Sequence, residues 1–129
     1  VIYAAYAGEG WGNMVIIEHA IGDGQSRKYV QSVYAHLKEF YVLVGSIVRR
    51  GEVIGEVGNA NGKYPAHLHF EMRESNVSDP GRGYSKKSLN RMDPTLTIKE
   101  WRGVDNDVLN LSPSVLESEE NIETLKFDF

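Results

Sequence analysis

Two imidazoles lie two residues apart in Pro65-Ala66-His67-Leu68-His69-Phe70-Glu71-Met72-Arg73, and they are the side chains of this sequence best spaced for chemistry. On an extended strand successive side chains point to opposite faces. His67, His69, Glu71 and Arg73 therefore line one face, and Leu68, Phe70 and Met72 the other. Such a pair suits a divalent metal or a ligand-plus-base arrangement. His-x-His is also a short pattern, and a polar strand face with two exposed histidines is the plain alternative. The 129 residues contain no cysteine, so a disulfide framework and a thiolate zinc site are both excluded. Any metal must be held by histidine and carboxylate.

The elements that must carry these side chains read as short strands. Residues 1–7 are rich in β-formers and run into Gly8-Glu9-Gly10-Trp11-Gly12-Asn13, a glycine-dense turn. A second strand is expected over Met14–Glu18, ending at His19, with Val15 and Ile17 on one face and Met14, Ile16 and Glu18 on the other. After a polar loop around Gly22-Asp23-Gly24, a third strand is expected over Tyr29–His36, with Val33 and Ala35 on one face and Tyr34 and His36 on the other. Residues 41–58 are broken by closely spaced glycines, which suits brief β pieces joined by sharp turns. Residues 59–64 form a loop, and residues 74–92 read as a long surface loop with a turn at Asp79-Pro80-Gly81. Asp93-Pro94-Thr95 starts a new element. Leu96–Trp101 fits a helix or a strand, and a short acidic helix is expected around residues 113–120.

The totals bound the class. The chain is 41% hydrophobic with net charge -4, enough for one ordinary core. No apolar run approaches the roughly 20 residues that cross a bilayer, and the first residues lack the basic flank of a signal peptide. Residues 1–103 carry 13 Lys and Arg against 11 Asp and Glu; residues 104–129 carry one Lys against seven acids. Neither part has the concentrated positive face of a nucleic-acid binder.

Four blocks, Gly12-Asn13-Met14-Val15-Ile16-Ile17-Glu18-His19, Tyr34-Ala35-His36-Leu37, Val44-Gly45-Ser46-Ile47-Val48-Arg49-Arg50-Gly51-Glu52-Val53-Ile54-Gly55 and His67-Leu68-His69-Phe70-Glu71, together resemble the lysostaphin-like zinc endopeptidases that cut peptidoglycan peptides. The resemblance implies a mainly β fold, a small antiparallel sheet domain with a groove over the sheet. It implies a peptidase domain over residues 1–96, lacking its amino-terminal segment, and an acidic extension over 97–129. It makes His69 the metal-binding second histidine of the His-x-His motif, with His67 and His36 assisting catalysis and Zn²⁺ activating water. The family's other two ligands lie in a His-x-Gly-x-Asp motif upstream of the strand that begins this sequence. His19-Ala20-Ile21-Gly22-Asp23 has the same His-to-Asp spacing, but His19 closes the second strand, and a strand-end histidine bonded to a turn is the preferred reading.

Peptidoglycan peptide is the implied partner, and the cell envelope, periplasm or exterior the implied location. Glu71 and Arg73 can orient an imidazole or form a cross-strand ion pair. Trp11 and Tyr64 flank the groove, as peptide contacts or as packing. A non-catalytic relative that binds peptidoglycan or activates another wall hydrolase is the competing function. A lipoyl- or biotin-type carrier, with Lys63 at a hairpin tip, ranks last because it has no use for three histidines.

Overall fold

The computed structural model describes residues 1–22, 25–75, 79–81 and 90–100. The fold is mainly β, one antiparallel sheet built from β1 (Tyr3–Tyr6), β2 (Asn13–Ile21), β3 (Lys28–Phe40), β4 (Gly55–Val57), β5 (His69–Arg73) and β6 (Arg91–Met92). The order is β1-β2-β3-β5-β6, and β4 also pairs with β3. A helix, α1, covers residues 94–100. Among the described residues no helix is long and apolar enough to cross a membrane.

β2 runs past the expected end at Glu18 because His19, Ala20 and Ile21 go on pairing with Val30, Tyr29 and Lys28. The expected β pieces over residues 41–58 reduce to β4 alone, and the preceding glycine-punctuated stretch is turn and loop. Residues 74–92 are not all loop. Arg91 and Met92 pair with Arg73 and Met72, too short a strand to leave a periodic signal. At α1 the choice between helix and strand is settled by its cap. The Asp93 carboxylate accepts from the Thr95 and Leu96 amides at 2.9 and 3.1 Å, and Pro94 takes the first helical position, where no amide donor is needed. The helix expected around 113–120 lies outside the described residues.

Alternation along the strands gives the sheet two apolar faces. Trp11, Met14, Ile16, Val33 and Ala35 pack together on one, with Ile2, Tyr3 and Ala7 against them. Val15, Leu37 and Val42 centre the other, joined by Ala4, Ile17, Tyr34 and Leu68. His69, Glu71 and Arg73 sit opposite Ala35, Val33 and Gln31 in register, so they extend the first face sideways into polar side chains.

Candidate active site

The position of His36 depends on an irregularity in β3. Asn13 pairs with Leu37 and Val15 with Tyr34, so three steps on β3 answer two on β2, a β-bulge at Ala35–His36. His36 has φ of +62°, a left-handed conformation uncommon for a residue with a side chain. Regular alternation puts His36 beside Tyr34; the bulge instead turns it to the Ala35 and His69 side. The expectation that Tyr34 and His36 share a face is corrected by this one backbone turn. Beyond the bulge the alternation is inverted, and Leu37 joins Val15 and Tyr34 in the opposite core.

The other two histidines arrive by different routes. His69 opens β5, while His67 precedes the strand and is held by its amide, which donates to the Gly58 carbonyl at 3.1 Å. The His36 ring centroid lies 4.8 Å from that of His67 and 5.2 Å from that of His69. Tyr64 closes the group from the loop side, 4.9 Å from His36 and 6.0 Å from His67.

Hydrogen-bond partners fix which nitrogen of each ring carries the proton. A carbonyl only accepts, so His36 donates through Nδ1 to the Trp11 carbonyl at 3.1 Å, and His67 through Nδ1 to the Pro65 carbonyl at 2.7 Å. In the neutral imidazole each of these rings keeps its lone pair on Nε2. His69 is the reverse: its Nε2 donates to Glu71 Oε1 at 2.8 Å, so the neutral ring keeps its lone pair on Nδ1. Burial lowers the His36 pKa, and the two neighbouring imidazoles lower it further against the opposing pull of the Trp11 carbonyl. His36 is therefore neutral, and a basic nitrogen, at neutral pH.

Glu71 is the anion beneath the cluster. Its Oε2 accepts from Arg73 Nε at 2.8 Å and from Arg91 Nε at 3.1 Å. Burial raises its pKa, but the His69 hydrogen bond and the two guanidiniums outweigh that and bring it down to about 2. Glu71 thus does both of the things expected of it: it orients an imidazole and forms ion pairs, one along β5 and one across to β6. Trp11 is core, 3% exposed, with its ring edge-on to His69 at 4.9 Å. Neither Arg91 nor the Trp11 carbonyl was foreseen, since one sits in a stretch read as loop and the other is backbone.

His19 is not part of this group. It lies on the Val15 and Ile17 face, its Nε2 is 2.7 Å from Ser32 Oγ, and its register partner Val30 is five residues along β3 from Ala35. That separates it from His69 by the thickness of the sheet and about 16 Å of strand. Asp23 lies outside the described residues. Among the described residues no group of three or more His, Cys, Asp or Glu could hold a metal ion.

The profile of peptidase family M23 matches residues 1–80, the stretch that carries β1 to β5 and the three converging histidines. The chain belongs to that family. It is 45% identical over 64 residues to DD-carboxypeptidase/endopeptidase Mpg of Neisseria meningitidis serogroup B, covering 50% of this chain and 13% of that protein. It is 37% identical over 65 residues to murein hydrolase activator EnvC of Escherichia coli K12, covering 50% and 14%. Lysostaphin of Staphylococcus simulans is 31% identical over 80 residues, covering 61% and 15%. The matched stretch is thus a small part of each of these relatives. No solved structure matches the chain significantly. Family membership leaves the carrier alternative at Lys63 without support.

Proposed function

We propose that this chain carries the catalytic histidines of a zinc-dependent peptidase that hydrolyses peptide bonds in peptidoglycan cross-bridges or stem peptides. The observation that carries the reading is the convergence of three rings, each with one nitrogen tied to an acceptor, Nδ1 in His36 and His67 and Nε2 in His69. The donor set fits zinc at one position, His69 Nδ1, whose ring is aimed by a carboxylate on its far nitrogen as metal-bound histidines usually are. The remaining ligands of a three-ligand site are proposed to be the family's His-x-Gly-x-Asp pair, outside these residues. Bound there, zinc would supply Lewis acidity toward the scissile carbonyl and a water acidified to near neutrality.

His67, exposed at the loop, is placed to take a proton from the attacking water through Nε2. His36, neutral and buried against Tyr64 and His67, relays or stabilises the proton that reaches the leaving amine. The test is hydrolysis of purified peptidoglycan by zinc-loaded full-length protein, read as new amino termini, and its loss in His69→Ala.

The similarity to a murein hydrolase activator favours a second reading, in which the protein binds peptidoglycan and stimulates a separate hydrolase without cleaving. That reading predicts no new amino termini from the zinc-loaded protein alone, and faster cleavage when a wall hydrolase is added.

A further inference from the structure

Arg73 is 1% exposed, and its guanidinium bridges the Glu71 carboxylate and the backbone of segment 79–81. Nε and Nη2 both lie 2.8 Å from a single oxygen, Glu71 Oε2. Nη1 donates to the Asp79 carbonyl at 2.7 Å and Nη2 also to the Pro80 carbonyl at 3.3 Å. The next carbonyl, that of Gly81, accepts the Trp11 indole N–H at 3.1 Å, and Trp11 presses its ring edge-on to His69. The contacts close into a circuit: His69, Glu71, Arg73, segment 79–81, Trp11 and back to His69.

The division of Glu71 between its partners is the informative detail. A guanidinium facing a carboxylate favours a two-pronged grip on both oxygens. Here the carbonyls of Asp79 and Pro80 occupy the outer prongs, Arg73 holds one oxygen only, and Oε1 is left for His69 Nε2. We infer that Arg73 is a positioning residue that makes segment 79–81 part of the His69 site, fixing the proton on Nε2 and so the aim of Nδ1. The inference rests on reading His69 as a metal ligand.

The test uses full-length protein without metal, with the His69 tautomer read from ring ¹⁵N shifts, followed by zinc titration. Arg73→Lys keeps the charge but cannot reproduce the planar fork. Trp11→Phe is the second variant, for the case in which the buried change prevents folding; it keeps a ring beside His69 and removes the N–H to Gly81. The native protein is expected to show the Nε2–H tautomer alone. Each folded variant is expected to show both tautomers and about tenfold weaker zinc binding, with His36 still protonated on Nδ1 in Arg73→Lys. Native tautomer and native zinc affinity in a folded variant overturn the role of Arg73 and leave the ligand reading standing, provided His69→Ala loses zinc. Native zinc affinity in His69→Ala overturns the ligand reading, and this role with it.

Discussion

His36, His67 and His69 are alike in sequence and unlike in what holds them, and substitutions should separate their roles. In the full-length protein His69→Ala is expected to lose bound zinc. His67→Ala and His36→Ala are expected to keep it while kcat falls by about 10²–10⁴, the usual weight of a positioned acid or base. Metal analysis beside steady-state kinetics checks both halves of this. The His-x-His pair was legible as a spacing, although only His69 lies on β5 and His67 sits in the preceding loop, bonded to Gly58. The face on which His36 lies was not, because a positive φ at a histidine follows from tertiary packing against Trp11 and not from local preference. Arg91 was hidden for a related reason: a two-residue strand is too short for any periodicity.

Among the elements, the segment between β4 and β5 runs hard against β3 at Gly58. A Cβ on Gly58 would lie 2.4 Å from the Lys38 amide nitrogen and 2.6 Å from the His36 carbonyl oxygen, both of them backbone. Gly58→Ala must therefore push residues 58–67, with Tyr64 and His67, away from β3. A loss of about 1–3 kcal/mol is expected, as for other overpacked sites, measurable by urea unfolding, together with loss of ring contact between His36 and His67 in nuclear Overhauser spectra. The glycine spacing in the sequence pointed to sharp turns here, but close approach of two backbones leaves no mark on composition. Nearby, β4 is tied to the end of β3 through Glu56, which pairs with Lys38 at 3.3 Å and accepts the Tyr41 hydroxyl. That hydrogen bond, with lesser help from burial and from the charges of Glu56 and Glu39, pushes the Tyr41 pKa up to about 12. A phenol whose pKa is raised on folding stabilises the fold below the ordinary value of about 10. It loses that contribution as the pH rises toward about 12. Glu56, held low, acts in the opposite sense, contributing above 4.5 and losing its contribution as the pH falls. Glu56→Gln is expected to return the phenol toward the ordinary tyrosine range, visible as earlier phenolate absorbance in an alkaline titration.

Over the described residues the sheet is a partition with a core on each side, and His36, His67 and His69 gather on one of them. Ile16, fully buried beneath the histidine face, is expected to cost about 2–5 kcal/mol on replacement by alanine, read by thermal or urea unfolding of the intact protein. That the fold is mainly β was legible, since paired β-formers and glycine turns act locally. The division into a peptidase unit over 1–96 and an extension over 97–129 remains our proposal, resting on the charge shift and the resemblance. The bulge at Ala35–His36 has a consequence for how such a chain can vary. A sheet has something like a reading frame, and this one changes phase midway along its longest strand. Straightening the strand with every residue kept would restore strict alternation and ruin the arrangement, sending Leu37 among the imidazoles and His36 into oil. Gaining a residue there would shift the frame and losing one would remove the bulge that turns His36, so descendants of this sequence should drift in letter there long before they drift in length.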